Sequence, residues 1–321
     1  MRAVQITQAG GPEVLEVVDL PTPTPGPGQV LIRHQAIGLN YIDTYHRSGL
    51  YPIKLPATLG LEAAGVVEAV GDGVTRFKVG DRVAYNGALG AYAEAAAVAA
   101  DRVVGVPDAV SLEVAAAVLL KGMTAEFLVR RCFHVKQGDT VLVHAAAGGV
   151  GQILVQWCKH LGATVIATVG SEAKAAIAHD LGADHVIDYS KEEVAGQVAE
   201  ITGGQGVAVV YDGVGKDTWA ASLASLARRG VMVTFGNASG PVPPFAPLEL
   251  GGKSLFVTRP KLFDYIATTE ELDDSADALF GVLASGAVKI DIGQTFPLEE
   301  ARAAHEALEG RRTTGATLLL P

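Results

Sequence analysis

The clearest change of hydrophobic period along the chain lies between residues 140 and 162. Residues 141–143 form a short apolar run that is typical of a buried parallel strand. Small residues fill positions 145–151, and apolar side chains then recur at helical spacing until Gly162. Residues 164–169 predict a second apolar strand. Strand, small-residue turn, helix and strand form the first half of a dinucleotide-binding domain.

The predicted turn departs from the pattern G-x-G-x-x-G. Ala146 occupies the first glycine position, and Gly148 and Gly151 occupy the other two. A phosphate needs bare backbone N–H groups and the positive end of a helix dipole, and larger side chains would hold it away. A glycine-rich turn alone is weak evidence, because any tight turn from strand to helix can use glycine. The strand before it, the helix after it and the second strand favour nucleotide binding.

The tip of the second strand predicts which dinucleotide binds. Cofactors without a 2′-phosphate usually meet Asp or Glu there. This chain has Gly170 and Ser171 instead, followed by Glu172 and, one turn into the next helix, Lys174. A neutral tip with a cation in reach favours NADPH, since a carboxylate would repel the 2′-phosphate. Glu172 complicates this interpretation, and the alternative is that Lys174 is only a solvated helix residue and the cofactor is NADH; the neutral tip favours NADPH.

The βα pattern continues beyond the second strand. Further strands are predicted at residues 186–189, 207–212, 231–235 and 254–258, with helices at 194–202 and 219–226. Strands that alternate with helices predict an α/β fold with a doubly wound parallel sheet. The last of these strands is apolar, and its exposed edge could pair with a second subunit. We therefore expect a homodimer.

Residues 1–123 have a different, β-rich pattern, with short strands between Gly and Pro turns, as in a small irregular barrel. Strands are predicted at residues 1–6, 13–18, 29–37, 66–70, 77–83, 90–94 and 103–106, with a short helix or loop at 38–45. An Ala-rich helix at 114–120 and a second helix at 124–131, started by Gly122, lead into the nucleotide domain. The tail adds helices near 272–283 and 299–308 and a strand at 316–320, which we expect to return to the first domain.

Composition and charge narrow the class of protein. The 321 residues, 49% hydrophobic and 19% charged, suffice for two domains. A net charge of −10 argues against nucleic acid or an anionic membrane as partner. Cys132 and Cys158 fit no zinc motif, and Cys158 is expected to be a buried small hydrophobe. With neither a signal segment nor an apolar run of membrane length, we expect a reduced, cytoplasmic location.

Several segments carry a family resemblance, and they run in order from end to end. They are Gly10–Leu15, Asn40–Tyr45, Arg47–Pro52, Ala64–Val67, Gly80–Val83, Lys121–Thr124, Ala145–Gly151, Val210–Asp212, Phe235–Asn237 and Thr258–Pro260. The set resembles the zinc-independent quinone oxidoreductases, ζ-crystallin-like, of the medium-chain dehydrogenase/reductase superfamily. The resemblance implies a GroES-like catalytic domain at residues 1–123, completed by 264–321, and a Rossmann domain at 124–263. It also implies a cleft between them in which NADPH donates hydride to a quinone.

Zinc alcohol dehydrogenases of the same superfamily provide a contrast. They carry a Cys near the position of Asn40 and Tyr41, and a His in a Gly-His-Glu motif. This chain has Asn40 and Gly60-Leu61-Glu62, so two catalytic zinc ligands are replaced, and the cysteine-rich structural zinc lobe is missing. We therefore expect no metal. Without a Lewis acid, dehydrogenation of an alcohol is disfavoured, whereas a quinone is already electrophilic and needs positioning and hydrogen bonding.

The candidate catalytic residues are Asn40, Tyr45 and Tyr51, which would offer amide and phenol donors with flat faces to a planar carbonyl compound. Ordinary packing and capping is the alternative for both tyrosines, and the resemblance favours the site. Asp43 lies four residues before Arg47, which predicts a local helix ion pair rather than a base. The histidines lack ligand spacing and are expected to be solvated or in the core: His34, His46, His134, His144 and His305.

The resemblance also implies a set of cofactor contacts. The pyrophosphate would be held by Gly148, Gly149, Val150 and Gly151, and the 2′-phosphate would be surrounded by Gly170, Ser171 and Lys174, with Tyr189 near the adenosine end. The nicotinamide would be flanked by Val214, Phe235, Gly236 and Asn237. Further contacts would come from Asn40 and Thr124, and Arg311 would close over the phosphates. Relatives can carry Tyr where Phe127 stands here, so that phenol contact is not expected.

Other functions remain open at the level of the sequence. An enone or alkenal double-bond reductase uses the same scaffold, also lacks zinc and also delivers hydride to a conjugated carbonyl. A pocket donor able to protonate the carbon beside the carbonyl would distinguish it, and the sequence reveals none. A third hypothesis is a non-catalytic protein, either crystallin-like or RNA-binding. The net negative charge of the chain disfavours RNA binding.

Overall fold

The computed structural model describes residues 1–321. The chain forms two compact units. The first unit contains residues 1–123, 266–284 and 290–321, and the second contains residues 124–265 and 285–289. Residues 285–289 are tied to the second unit because the side chain of Gln156 donates to the Lys289 carbonyl at 2.9 Å and accepts from its N–H at 2.8 Å.

The strands, in chain order, are β1 (Arg2–Ile6), β2 (Glu16–Asp19), β3 (Gln29–Leu39), β4 (Ala57–Thr58), β5 (Glu62–Val70), β6 (Arg82–Asn86), β7 (Ala95–Ala99), β8 (Val103–Gly105), β9 (Thr140–Val143), β10 (Thr164–Val169), β11 (His185–Asp188), β12 (Val207–Asp212), β13 (Leu226–Thr234), β14 (Phe256–Thr258), β15 (Ile292–Pro297) and β16 (Ala316–Leu320). The helices are α1 (Tyr41–Ser48), α2 (Leu112–Phe127), α3 (Gly149–His160), α4 (Glu172–Asp180), α5 (Val194–Ile201), α6 (Trp219–Ser225), α7 (Leu262–Tyr265), α8 (Thr269–Ala284) and α9 (Ala301–Glu309). None of these helices combines the length and apolar character needed to cross a bilayer.

The first unit is organised around β3. Its strands lie in the order β15-β16-β3-β5-β6-β8. The edge of β3 that faces away from β5 has two neighbours: β7 pairs with its N-terminal half, and β16 pairs with its C-terminal half. One long strand shared by two neighbours on the same edge gives the curvature of a small barrel. Its interior is filled by buried apolar side chains, among them Ile32, Ile37, Val67 and Leu319. The prediction that the closing strand returns to the first domain is confirmed, because β16 is antiparallel to β3.

Several strand predictions in the first unit need correction. Predicted strand 13–18 begins only at Glu16, because Pro12–Val14 form a 3-10 turn. Predicted strand 77–83 begins only at Arg82, since Asp81 folds back to accept from the Lys78 N–H at 2.9 Å and makes a turn. Segment 90–94 is irregular, and β7 follows it. β15 was not predicted; its residues alternate between half-buried and exposed at the sheet edge.

The predicted break at Gly122 is wrong, because α2 runs through it without interruption and continues as a π-helical turn, Leu128–Cys132. Gly122 serves packing instead. A Cβ at this position would collide with the side chain of Leu279 on α8. Glycine therefore permits two helices of the first unit to approach closely, and a local reading of its helix propensity could not reveal this.

The second unit has the predicted doubly wound sheet. Its strands lie in the order β11-β10-β9-β12-β13-β14, and every pair is parallel. Numbered along the chain, this is the 3-2-1-4-5-6 order of the Rossmann fold, which reverses between β9 and β12. Its core includes Leu142, Ile166, Val210 and Met232. Cys158 is fully buried, as expected, and burial raises the pKa of its thiol.

Candidate active site

The turn between β9 and α3 leaves backbone N–H groups without helical partners at the start of a helix. Gln152 donates the first helical hydrogen bond, to Gly148 at 2.9 Å, so the N–H groups of residues 149–151 precede the helical ladder. Gly151 must lack a side chain, because a Cβ there would collide with the Ala145 carbonyl and lie 2.8 Å from the Ala146 Cα. This cradle at a helix N-terminus fits a pyrophosphate.

The tips of β10 and β11 lie side by side, since these strands are neighbours and Val169 pairs with Asp188. Gly170 and Ser171 follow one strand, and Tyr189 follows the other. The structure therefore brings the predicted 2′-phosphate contacts Gly170 and Ser171 together with the predicted adenosine contact Tyr189. The Tyr189 side chain is exposed, and its ring takes the space that a Cβ of Gly170 would fill.

The start of α4 accounts for the remaining residues of this region. The Ser171 hydroxyl caps the helix by accepting from the Lys174 N–H at 3.4 Å. Glu172 is exposed in the first turn, where a carboxylate is stabilised by the helix dipole. The position of Glu172 in the first turn is therefore favourable without any contact to a ribose.

The loop after β12 is shaped by Asp212, a fully buried carboxylate. One of its oxygens accepts from the N–H groups of Val214 and Gly215 at 2.8 and 3.0 Å. The other accepts from the hydroxyls of Thr218 and Ser222 at 2.7 and 2.8 Å. Four donors satisfy this carboxylate without a cation, and they fix the backbone at Val214, a predicted nicotinamide contact.

His144, directly after β9, extends this network. Its ring contacts the hydroxyl of Thr168 at 2.9 Å and that of Ser222 at 3.0 Å. Burial lowers its pKa. The interpretation of His144 as a core histidine is therefore correct, and it links β9, β10 and α6 at the point where the strand order reverses.

The segment Phe235–Asn237 packs against the loop after β12. A Cβ on Gly236 would collide with the Gly213 carbonyl, so glycine is required for this approach. Arg259 holds the segment from the other side, donating to the carbonyls of Thr234 and Gly236, both at 3.0 Å. In the amide orientation that satisfies both groups, Asn237 accepts from Arg259 at 3.0 Å. Two predicted nicotinamide loops thus meet beyond the carboxyl ends of the neighbouring strands β12 and β13.

In the first unit, Asn40 stands at the N-terminus of α1 and is buried. Its side-chain nitrogen donates to a Glu62 carboxylate oxygen at 2.8 Å and to the Gly38 carbonyl at 3.3 Å. Both amide hydrogens are therefore used inside the protein. Only the carboxamide oxygen is left for a ligand, which differs from the amide donor expected from the sequence.

Glu62 is the centre of a buried polar cluster that sequence reasoning missed. Its carboxylate has no exposed surface. One oxygen accepts from the Leu120 N–H at 2.6 Å, and the other, which faces Asn40, also accepts from the Lys121 ammonium at 3.3 Å. The motif positions Gly60-Leu61-Glu62 and Lys121–Thr124 contained the signal, but only the fold shows that their charged residues pair.

The predicted phenols lie together. The rings of Tyr45 and Tyr51 have centroids 5.2 Å apart at an interplanar angle of 65°, and the Tyr51 N–H donates to the Tyr45 carbonyl at 3.0 Å. Tyr41 joins them, with its centroid 6.3 Å from that of Tyr45. This aromatic group is carried by α1 and the loop after it, next along the chain to Asn40.

The predicted ion pair between Asp43 and Arg47 is wrong. Arg47 instead forms a bidentate pair with Glu309 of α9, at 2.7 and 2.9 Å, and donates to His305 at 3.0 Å. Asp43 faces inward, where one oxygen accepts from the Asn40 N–H at 2.8 Å and from the Tyr92 hydroxyl at 3.1 Å. Helical spacing permits the pair, but each residue has its own tertiary partner, and the partners Tyr92 and His305 are in contact with each other.

Burial controls the protonation of this group. It raises the pKa of Asp43 to about 7 and lowers that of His305 to about 3, with the Arg47 charge adding to the second shift. His305 also contacts the Tyr92 hydroxyl at 3.0 Å. Because Arg47 can only donate, His305 must carry its proton on the nitrogen that faces Tyr92. The Tyr92 hydroxyl can then donate its own hydrogen to Asp43. This hydrogen bond stabilises the buried Asp43 side chain, which has no cation at hydrogen-bond distance.

The remaining predicted residues are placed as follows. Thr124 is buried at the start of the second unit, and Arg311 is exposed in the first unit with a left-handed φ of 56° directly after α9. Phe127 is buried and stacks on Tyr265, with centroids 4.4 Å apart. The contacts of Thr124 and Arg311 with a cofactor stay predictions. No group of three His, Cys, Asp or Glu side chains is arranged to hold a metal.

Comparison with family models defines the class of protein. The model "Alcohol dehydrogenase GroES-like domain" matches residues 26–108, and the model "Zinc-binding dehydrogenase" matches residues 149–279. Together with the fold, this pair of matches makes the chain a medium-chain dehydrogenase/reductase. The word zinc is part of the description of the second model, and the expectation that this chain binds no metal stays a prediction.

Individual relatives narrow the family. The quinone oxidoreductase of Pseudomonas aeruginosa is 53% identical over 100% of this chain and 99% of its own length. The structure of Escherichia coli quinone oxidoreductase complexed with NADPH has a TM-score of 0.98 at 48% identity, with 100% of each chain covered. A 2-haloacrylate reductase from a Burkholderia species is 46% identical over 99% of this chain and 98% of its own. The chain belongs to the quinone oxidoreductase family, which confirms the resemblance, and the Escherichia coli complex agrees with the predicted cofactor.

Proposed function

We propose that this chain reduces quinones with NADPH, by hydride transfer and without a metal. The observation that carries the proposal is the combination of an intact nucleotide cradle with Asn40 and Leu61 at former zinc-ligand positions. A metal-free site suits an acceptor that is already electrophilic, because its reduced anion is stabilised by its own conjugation. The cofactor supplies the hydride when bound, and the residues of this chain bind and orient both partners.

Residues of the second unit would hold the cofactor. The N–H groups of residues 149–151 suit its pyrophosphate, and Ser171 with Lys174 suits its 2′-phosphate. Val214 and Phe235–Asn237, fixed by Asp212 and Arg259, suit its nicotinamide end. In the first unit, the flat faces of Tyr45 and Tyr51 suit a planar quinone, and Asn40 offers an acceptor to a hydroxyl of the reduced product.

The test is an NADPH oxidation assay across a series of quinones and enones, with and without a strong chelator. We expect quinone-dependent oxidation that chelation leaves unchanged, and no stoichiometric zinc by elemental analysis. NADH serves as the control cofactor. Activity that is lost on chelation and restored by zinc would overturn the metal-free mechanism, and no oxidation with any quinone would overturn the function.

A second function has a specific observation in its favour. The Burkholderia relative is named for the reduction of a 2-haloacrylate, which is an activated double bond, and it is 46% identical to this chain. Reduction of a conjugated double bond uses the same hydride but also needs a proton at the carbon beside the carbonyl. Higher kcat/KM for enones than for quinones in the same assay would favour this function.

We also propose that the chain forms a homodimer through β14. This strand is the edge of the parallel sheet, and Phe256 on it is 60% exposed. An apolar unpaired edge is stabilised by pairing with a second copy. Sedimentation at micromolar concentration should give twice the mass of 33.1 kDa, and Phe256→Glu should shift the protein to monomer. A monomer in the unaltered chain would contradict the proposal.

A further inference from the structure

The Lys121 ammonium has more hydrogen-bond donors than the protein satisfies. Its side chain is only 8% exposed, and its one acceptor is the Glu62 carboxylate at 3.3 Å. An ammonium group has three donors. A buried donor left without an acceptor is costly. The remaining N–H groups of Lys121 are therefore available to an acceptor on a bound ligand.

Unused acceptors surround the same carboxylate. Asn86 is directly opposite Glu62 in the antiparallel β5–β6 pair, so the two side chains stand on the same face. The Asn86 nitrogen donates to the Met123 sulfur at 3.1 Å, while its oxygen is buried without a partner. One oxygen of Asp43, which lies within electrostatic range of Glu62 and Lys121, is also buried without a partner. The cluster therefore has both a donor and acceptors to offer to a hydroxyl group.

Asn40 connects this cluster to the candidate catalytic residues. The Glu62 oxygen that accepts from Lys121 is the one that accepts from Asn40 at 2.8 Å. One carboxylate oxygen thus holds an ammonium and a carboxamide next to each other. The carboxamide oxygen of Asn40 is an acceptor, and the remaining N–H groups of Lys121 are donors. Together they match a phenolate oxygen, which first accepts a proton and then, as a hydroxyl, can donate a hydrogen bond.

We infer that Lys121 contacts the reacting oxygen of the substrate and gives it a proton, and that Glu62 is a positioning residue for Lys121 and Asn40. This inference rests on the proposed quinone reduction. A quinone that accepts a hydride becomes a hydroquinone monoanion. An N–H bond of the Lys121 ammonium then breaks as an O–H bond forms on that anion. Water returns the proton to the neutral amine, so one quinone, one NADPH and one solvent proton give hydroquinone and NADP⁺.

The competing explanation is that Lys121 only neutralises Glu62. Lys121→Met alone cannot decide, because a buried carboxylate left without its cation can disrupt the fold. The double variant Glu62→Gln/Lys121→Met removes both charges and keeps the side-chain sizes. If Lys121 is a structural partner alone, the double variant should recover wild-type kcat. If Lys121 gives the proton, kcat in the double variant should stay about a hundredfold or more below wild type, with KM for NADPH unchanged.

Two control variants accompany the kcat measurement on the double variant. Glu62→Gln alone keeps the ammonium and should lose less kcat than the double variant. Lys78→Met removes an exposed lysine that is paired with Asp81 at 2.8 Å and should leave kcat unchanged. The loss caused by the double variant should also be larger for methylated quinones than for chlorinated ones, because the more basic hydroquinone anion depends more on a proton donor.

A binding measurement provides a readout that needs no turnover. 4-Nitrophenol, whose phenolate absorbs visible light, resembles the hydroquinone monoanion. Bound beside Lys121 it should ionise at lower pH than in solution, and this shift should vanish in the double variant. An unshifted nitrophenol titration in the unaltered enzyme, or full kcat in the double variant, would overturn the inference. Absence of any quinone-dependent NADPH oxidation in the unaltered enzyme would instead overturn the proposed function.

Discussion

The ring of Tyr189 lies over the Cα of Gly170, where a Cβ on Gly170 would be 2.6 Å from the Cζ of the tyrosine. The two residues belong to the tips of neighbouring parallel strands. Glycine at one tip therefore leaves the space that the aromatic ring at the other occupies. The ring is exposed and flat, which suits stacking on a purine.

Gly170→Ala should move Tyr189 without unfolding the chain, since the clash is with the far end of a movable side chain. If Tyr189 stacks on the adenine, NADPH should bind about tenfold more weakly, the range that loss of one base–aromatic stack produces. Titration of nucleotide fluorescence measures the Kd. Tyr189→Ala should have the same effect, and the double variant should add nothing. Additive losses would show that the two residues act separately.

Lys174→Ala should weaken NADPH binding about ten- to a hundredfold, because a hydrogen bond to a charged group contributes roughly 1.5–3 kcal/mol. Binding of NADH should barely change, and raising the salt concentration should reduce the wild-type preference. Ser171→Asp should act in the same direction. Lys159→Ala, in the last turn of α3 and paired with Asp184 at 2.8 Å, is the matched control. Equal kcat/KM for both cofactors in wild type, unaffected by Lys174→Ala, would refute the 2′-phosphate assignment.

Gly122→Ala and Gly281→Ala should change stability in opposite directions. Alanine in a helix is favoured over glycine by about 1 kcal/mol. At Gly281 of α8 a Cβ meets nothing, so the free energy of unfolding should rise. At Gly122 the collision with Leu279 should cost about 1–3 kcal/mol, which outweighs the helical gain. Urea unfolding measures both changes. Stabilisation by Gly122→Ala would disprove the packing role of this glycine.

Asp43→Asn should flatten part of the dependence of stability on pH. The pKa of Asp43 is raised from 3.8 to about 7 on folding, because burial disfavours its charge. The folded state therefore holds this proton more tightly than the unfolded state. The resulting stabilisation is full below pH 3.8 and is lost as pH rises through about 7.

The measurement is the difference in unfolding free energy between wild type and Asp43→Asn at several pH values, which cancels the contribution of the histidines. The unfolding free energy of wild type should fall relative to that of Asp43→Asn between about pH 4 and pH 7, and the difference should be constant at higher pH. Parallel curves for the two proteins would mean that Asp43 is already charged in the folded chain, stabilised by the Tyr92 hydroxyl and by Lys121.

The elements of the second unit were predictable because each strand is a short apolar run and each helix has its own period, as at β9, α3 and β10. Their information is local. Gly122 failed for the opposite reason: its function is contact with Leu279, which is distant in sequence and invisible to helix propensity. The same limit explains Asp43 and Arg47, whose spacing permits a pair that tertiary partners replace.

The candidate site divides in the same way. The nucleotide turn and the strand tips are contiguous segments, so sequence and family resemblance located them. The Glu62–Lys121 pair joins β5 to α2, and no spacing rule connects those positions. A buried ion pair of this kind becomes visible only when the sheet and the helix are placed together. Asn40 was located by resemblance, but its orientation, and hence its role as acceptor, depends on that pair.

The position of β16 has a consequence for synthesis on the ribosome. Residues 316–320 fill the place between β3 and β15, so an interior strand of the first unit is translated after every other strand. Residues 124–265 emerge earlier as one continuous stretch, and the second unit can complete its sheet while the first still lacks a strand. The first unit, whose strands begin before the second unit in the chain, is therefore completed after it. Until then, the open edge of β3 is exposed to other nascent chains.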